Sequence, residues 1–238
     1  MRRAVALAFV LAFCIVRYWT MRLRGPMTMA RRTVWLQRCC RSVANCIGIR
    51  IQVSGTPPVS GLVVANHLGY LDIVVISAVM PCFFVAKSEV SRWPFFGRAA
   101  GAGGTIFLNR ASRASASVAA AIIEQRLRDP APVLLFPEGT STDGSRVLRF
   151  HSRLIDPAVR LNVPITAAAI RYSIAGGTPE REACWFDDAA FLAHLWKVIG
   201  FPAMSAHVCF ASPRHYNEPH QAAEQTHTEV ALLRATGL

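Results

Sequence analysis

No aspartate or glutamate occurs in the first 71 residues of this 238-residue chain, although ten arginines stand in the first fifty. A block of charge this one-sided implies an anionic partner. Nucleic acid is one such partner, but the arginines alternate with long apolar stretches. Each arginine close to a leaflet contributes about 1 kcal/mol towards anionic lipid, so lipid is the better fit and nucleic acid is not expected. The seven cysteines contain no CxxC and no zinc-ligand spacing. Cys39 and Cys40 are adjacent and cannot easily bridge each other; a reduced compartment or plain burial accounts for the set. The chain has no GxSxG and no SxxK, which leaves no obvious serine nucleophile. It also lacks internal repeats and any low-complexity linker. At this length it can bury one sizeable core plus an appendage, and we expect an appendage over 1–50 and an α/β domain over 51–238.

What is present begins with an uninterrupted apolar run from Ala4 to Val16, bracketed by Arg2 and Arg3 before it and by Arg17, Tyr18 and Trp19 after it. Thirteen helical residues reach about 20 Å, short of about 30 Å of hydrocarbon. A snorkelling Arg17 and the interfacial aromatics extend the run to Met21. A signal peptide has the same charged and apolar regions, but no small-residue cleavage site follows Val16, so an uncleaved anchor is the better reading. Thr33 to Ile49 is amphipathic, and Gly25-Pro26 separates it from the first run. Together they suggest two helices lying on or dipping into one leaflet, with an ordinary surface helix on the core as the alternative for the second. The basic excess downstream of the first run favours a membrane location with the catalytic domain on the cytoplasmic face.

The stretch that organises the rest is Asn66-His67-Leu68-Gly69-Tyr70-Leu71-Asp72, directly after the apolar run Leu62 to Ala65. A neutral imidazole can accept a proton from a substrate hydroxyl, and an aspartate on its other ring nitrogen would fix the tautomer. Five helical steps separate side chains by about 140°, so the two cannot pair across a regular helix. His67 must therefore sit on a turn, eased by Gly69, ahead of a buried helix from Tyr70 to Met80 that carries Asp72. With no nucleophile in sight, the base would activate the acceptor directly. Taken alone, such a pair also arises by chance. His151, His194 and His207 read as surface or satisfied core groups.

Pro81 to Ala86 then reads as a buried strand ending at Lys87. Gly101 to Gly104 leads into another strand that ends near Asn109 and Arg110, where a guanidinium fork could meet phosphate or carboxylate, a solvated strand-end arginine being the equal alternative. Ser112 to Arg128 is helical by composition, and Val133 to Phe136 is a further short strand. Glu138 and Gly139 follow it, at the carboxyl end of a strand, where open α/β sheets bind ligands. Glu138 could hold an acceptor hydroxyl there, and the backbone at Gly139 and Thr140 could donate to a headgroup anion. Later strand candidates open at Val163, Cys184 and Ala206, with helices at Phe191 to Ile199 and Gln221 to Arg234. The alternation predicts an α/β fold with a mixed, mostly parallel sheet flanked by helices.

Four blocks in fixed order, NHLGYLD, then AKSEVSRWPFFG with GGTIFLNR, then FPEGT, then VPI, resemble the glycerophospholipid acyltransferase family, especially its lysophosphatidic acid acyltransferases. The resemblance covers about residues 60 to 215. It implies a two-helix membrane-docking element on an α/β domain. It also implies transfer of a fatty acyl group from acyl-CoA or acyl carrier protein to a lysolipid hydroxyl, with no cofactor beyond that donor and no metal. His67 would be the general base and Asp72 its partner, Lys87 and Arg110 would face the acceptor headgroup, and Glu138 and Gly139 would line the acceptor site. The acceptor implied first is lysophosphatidic acid. Several positions depart from the family pattern. Gly69 replaces a usual serine, Asn109 an aspartate and Ala167 a proline, while Ser141 stands where many phosphate-recognising members have arginine. Losing that bidentate cation weakens the case for a phosphomonoester. The runs FPEGTSTDGSRVLRFHSRL and CWFDDAAFLAHLW look like the branch that acylates lyso-ornithine lipid, which is the alternative acceptor.

Overall fold

Strand β2, Leu62–Ala65, is buried at every residue, because both faces of its sheet are covered. In the computed structural model, which describes residues 2–92, 96–108 and 113–236, seven strands form one sheet. They are β1 (Ile49–Ser54), β2, β3 (Phe83–Lys87), β4 (Ile106–Leu108), β5 (Val133–Leu135), β6 (Ile165–Ile174) and β7 (Met204–Phe210). The spatial order is β1-β7-β6-β2-β5-β3-β4. Every neighbouring pair is parallel except β6 with β7. The expected mixed, mostly parallel sheet is therefore what the chain forms.

Side chains alternate across the sheet, so each strand feeds two cores. Val63, Ala65, Leu134, Phe136 and Ile170 enter one of them, packed with α1 (Arg2–Leu23), α2 (Met29–Ile47) and α3 (Tyr70–Val79). Leu62, Val64, Val133, Leu135 and Ile165 enter the other. That side is covered by α5 (Arg113–Leu127), α6 (Asp156–Arg160) and α8 (Pro219–Thr236), while α4 (Phe96–Ala102) and α7 (Phe191–Gly200) complete the helices.

The elements differ from the sequence reading in places with physical causes. The first apolar run grows into a 22-residue helix that begins at Arg2. The second helix starts earlier, where Thr28 caps it by accepting from the Arg31 amide. It ends at Gly48, which takes the left-handed backbone (φ 84°) that terminates helices. Ile49 then begins β1, an edge strand whose alternation was too weak to read. The strand expected to open at Val163 begins at Ile165 and runs on to Ile174. Cys184-Trp185-Phe186 is not a strand: it is an irregular segment after a single 3-10 turn, Glu180–Ala183. All seven cysteines are free thiols.

The two N-terminal helices form a hairpin laid along the domain. Trp35 of α2 is 3% exposed, and its indole N–H donates to the Cys14 carbonyl of α1 at 3.0 Å. Arg41 donates to Ala78 O at the end of α3, and Arg3 donates to the carbonyl of Ile199 in the last turn of α7 and to those of Phe201 and Pro202 just after it. One face of α1 is thus tied down. Its opposite face leaves Phe9 72% and Leu23 85% exposed, along with Phe13, Val16 and Trp19.

Candidate active site

Asp72 stands at the third position of α3, in the first turn of that helix. Its Oδ2 accepts the Leu68 amide at 2.6 Å and the Gly69 amide at 2.9 Å. A carboxylate in this position satisfies main-chain donors that a helix start leaves without partners, and it complements the positive end of the helix dipole. The same oxygen meets His67 Nδ1 at 2.8 Å. The turn the spacing required is therefore present, with the imidazole ahead of the helix and the acid within it. Gly69 makes the turn with φ 149°, and a Cβ there would lie 2.9 Å from both the backbone N and the Cβ of Trp185. Only glycine fits without displacement.

Asp72 is 0% exposed, while the His67 side chain keeps 21% exposure. Tyr172 on β6 donates its phenol to Asp72 Oδ1 at 2.8 Å, so four donors surround a buried carboxylate. Such saturation offsets the cost of removing the group from water. The His67 ring stacks on Phe136 with centroids 4.1 Å apart and planes 13° from parallel. Nδ1 is held by the acid and one ring face is covered, so Nε2 is the ring nitrogen that Asp72 does not engage.

Glu138 was expected to hold an acceptor hydroxyl, but both of its oxygens accept main-chain amides. Oε1 takes His67 N at 2.7 Å, and Oε2 takes Leu148 N at 2.7 Å. Burial pushes its carboxyl above the usual range, and the amides of Leu148 and His67 oppose that rise. In this arrangement Glu138 braces the turn that carries His67. Gly139 occupies the adjacent turn with φ 77°, and Thr140 is exposed on it. Two residues later Thr142 N donates to His67 O at 2.9 Å, so the Glu138 turn grips the histidine from both its amide and its carbonyl. Lys87 ends β3, opposite Leu108 of β4; its side chain and the whole of Arg110 lie outside the described residues.

The sheet order explains the assembly. Strand β2 lies between β5 and β6, so Glu138 and Phe136 reach the histidine from one neighbour and Tyr172 reaches the aspartate from the other. All of this occurs beyond the carboxyl end of β2, the edge at which parallel sheets bind ligands. Sequence reasoning missed Tyr172, Asn66 and Trp185 as parts of the site. A buried tyrosine needs a hydroxyl partner, and the pattern Arg171 out, Tyr172 in, Ser173 out on β6 was the available signal. Beside the site, Tyr70 contacts Trp185, Phe191 and His194, with its hydroxyl 3.1 Å from His194 Nδ1. His194 thereby joins an aromatic cluster next to the dyad, and its burial holds the imidazole below the usual range.

Residues 50–171 match the family model described as Acyltransferase. The chain is 39% identical over 184 residues to a lyso-ornithine lipid O-acyltransferase of Rhodobacter capsulatus, covering 73% of this chain and 65% of that protein. It is 30% identical over 174 residues to a 1-acyl-sn-glycerol-3-phosphate acyltransferase of Neisseria meningitidis serogroup B, covering 71% of this chain and 68% of that protein. The chain thus spans about two thirds of the length of these relatives. Among solved structures, the fold is similar to the 1-acyl-sn-glycerophosphate (LPA) acyltransferase PlsC from Thermotoga maritima. There the TM-score is 0.69 at 18% identity, over 99% of this chain and 97% of the other.

Proposed function

The chain belongs to the acyltransferase family, and we propose that it moves a fatty acyl group from a thioester to the free hydroxyl of a lysolipid, with His67 as general base. The observation that carries this reading is the 2.8 Å contact between His67 Nδ1 and a fully buried Asp72. A proton on Nδ1, held by the acid, leaves the Nε2 lone pair free to take a proton. As Nε2 accepts the acceptor hydroxyl's proton, the oxygen attacks the thioester carbonyl and a tetrahedral adduct forms. Its collapse breaks the carbon–sulfur bond, and the imidazolium returns the proton to the departing thiolate. Asp72 stabilises the imidazolium in between. General-base action of this kind contributes about 10² to 10⁴ in rate.

The thioester is acyl-CoA or acyl carrier protein. Lyso-ornithine lipid is the acceptor best supported, by Ser141 in place of a phosphate-binding arginine and by the similarity to the Rhodobacter protein. Lysophosphatidic acid, the acceptor implied first by the motifs, is the second reading, supported by the likeness to the Neisseria protein.

The exposed apolar face of α1 supports a membrane seat. At 22 residues, with an 18-residue window of mean hydropathy 1.9 inside it, it is long and apolar enough to cross a bilayer by length and composition. Its packing along α2 instead supports a helix lying in one leaflet with its outer face in lipid. Those arginines of the first fifty residues that are not bonded to main-chain carbonyls, as Arg3, Arg31, Arg32 and Arg41 are, meet anionic headgroups there, with the catalytic domain on the cytoplasmic face.

The test offers purified protein acyl-CoA or acyl carrier protein with each lysolipid and identifies products by mass. Acylated product from one acceptor, lost in His67→Ala while the thermal unfolding midpoint is retained, supports the reading. Lipid binding without thiol release would replace it with a non-catalytic lipid-binding role, and free fatty acid made without acceptor would replace it with hydrolysis.

A further inference from the structure

Strand β6 outruns its neighbour. The register of β2 with β6 ends at Ala65 opposite Ala168, yet β6 continues for six more residues, paired on its other side with β7. Asn66 takes over where β2 stops. Its side-chain amide donates to Ile170 O at 3.1 Å and its oxygen accepts Ile170 N at 2.8 Å, so an amide side chain imitates one more rung of the ladder. Two residues further on, Tyr172 faces inward with 5% exposure. Its own amide donates to Glu180 Oε1 at 2.7 Å. Arg234 of α8 holds Glu180 Oε2 at 2.7 Å and donates to Ile170 O at 2.7 Å and to Gly144 O at 2.6 Å. The segment carrying Tyr172 is therefore fixed along one edge by Asn66 and by the C-terminal helix, and along the other by β7.

The role of that rigidity follows from the shape of a carboxylate. The terminal torsion of an aspartate is broad, and all three other donors of Asp72 converge on Oδ2. Tyr172 alone, among the described residues, donates to Oδ1. Burial, with the Asp72 charge adding to it, pushes the phenol well above its usual range, so its O–H remains a donor wherever the protein is folded.

We propose that Tyr172 is a positioning residue for the His67–Asp72 pair: its hydroxyl fixes the rotation of the Asp72 carboxylate so that Oδ2 stays in line with His67 Nδ1, and Arg234, through Glu180 and Ile170, holds Tyr172 in place from the far end of the chain. This rests on the acyl-transfer reading above. The effect runs through the geometry of the base, so it falls on turnover and not on substrate affinity. An imidazole displaced by a fraction of an ångström loses about ten- to a hundredfold in rate.

Tyr172→Phe removes one oxygen and keeps the ring that fills the core. In the full chain it is expected to lower kcat about ten- to a hundredfold with KM within about twofold. A second readout needs no turnover: the downfield proton resonance of His67 Nδ1–H is expected to be sharp in the parent and broadened by exchange in the variant. Arg234→Lys, which keeps a cation but loses the fork, is expected to give a weaker version of both changes. Parent-level kcat together with an unchanged resonance in Tyr172→Phe overturns the proposal. So does a rise in KM at constant kcat, which would make Tyr172 a binding group. His67→Ala separates the two levels: if it remains active the acyl-transfer reading fails, and if it is inactive while Tyr172→Phe turns over normally only the positioning role fails.

Discussion

Asp72 is a charged residue with no exposed surface, while Phe9 is an aromatic residue with 72% of its surface exposed. The two lie in layers that share one core, yet the usual placement of polar and apolar groups is reversed in both. At the dyad, each buried polar atom has a named partner: four donors on Asp72, two amides on Glu138, both sides of the Asn66 amide. On α1, the outer apolar face stays exposed, and Trp19 on it meets only Tyr18 and Arg22 of the same helix among the contacts of the described residues. A protein keeps buried charge where geometry matters and leaves large apolar area exposed where another phase covers it. The contrast teaches that folding stability should be sensitive to single atoms at the dyad and nearly indifferent to the outer face of α1.

The largest effect on stability should come from Glu138→Ala. It leaves the amides of His67 and Leu148 without acceptors, at about 1–3 kcal/mol each, and thermal unfolding should show a midpoint lowered by many degrees with acyl transfer lost. A variant as stable as the parent would break the comparison. Next comes Gly69→Ser. The family's usual serine should destabilise this chain by about 1–3 kcal/mol, because its Cβ would press on the Trp185 backbone at 2.9 Å; chemical denaturation measures the difference.

Replacing Phe9, Phe13 and Trp19 together with serine should change folding stability by no more than about 0.5 kcal/mol per site. Sedimentation with anionic vesicles should fall by more than tenfold, since each side chain is expected to contribute about 1.5 kcal/mol or more in lipid. Unaltered vesicle binding would remove α1 from the membrane side of the comparison.

The smallest effect is in pH dependence. Burial raises Glu138 above its ordinary value of 4.5, so between the two values the folded protein binds a proton that the unfolded chain releases. Stability from this group is full below 4.5 and is lost as pH rises through the raised value. Glu138→Ala should therefore flatten the slope of the unfolding midpoint just above pH 4.5. A steeper slope in the variant would contradict the sign.

Much of this was legible in advance, for reasons that differ by residue. The turn between His67 and Asp72 followed from helical geometry alone, since five steps cannot bring two side chains together. Strands β2, β3 and β5 showed as apolar runs because both faces are buried. Strand β1 was not legible, because only Ile49 of its six residues is buried. Glu138 was correctly placed at a strand's carboxyl end, yet its partners were not foreseeable, since His67 N and Leu148 N reach it from 71 and 10 residues away. Tyr172 lies 100 residues from Asp72, and no local spacing encodes that pairing.

By itself the sequence determined the alternation of strand and helix, the basic N-terminal layer and the imidazole–acid spacing, because each depends on near neighbours or on composition. Only the tertiary structure decided which groups surround the pair. Strand order set β5 and β6 on the two sides of β2, the over-length of β6 brought a phenol to the acid, and the C-terminal helix supplied the guanidinium that holds that strand, all contacts between residues far apart in the chain.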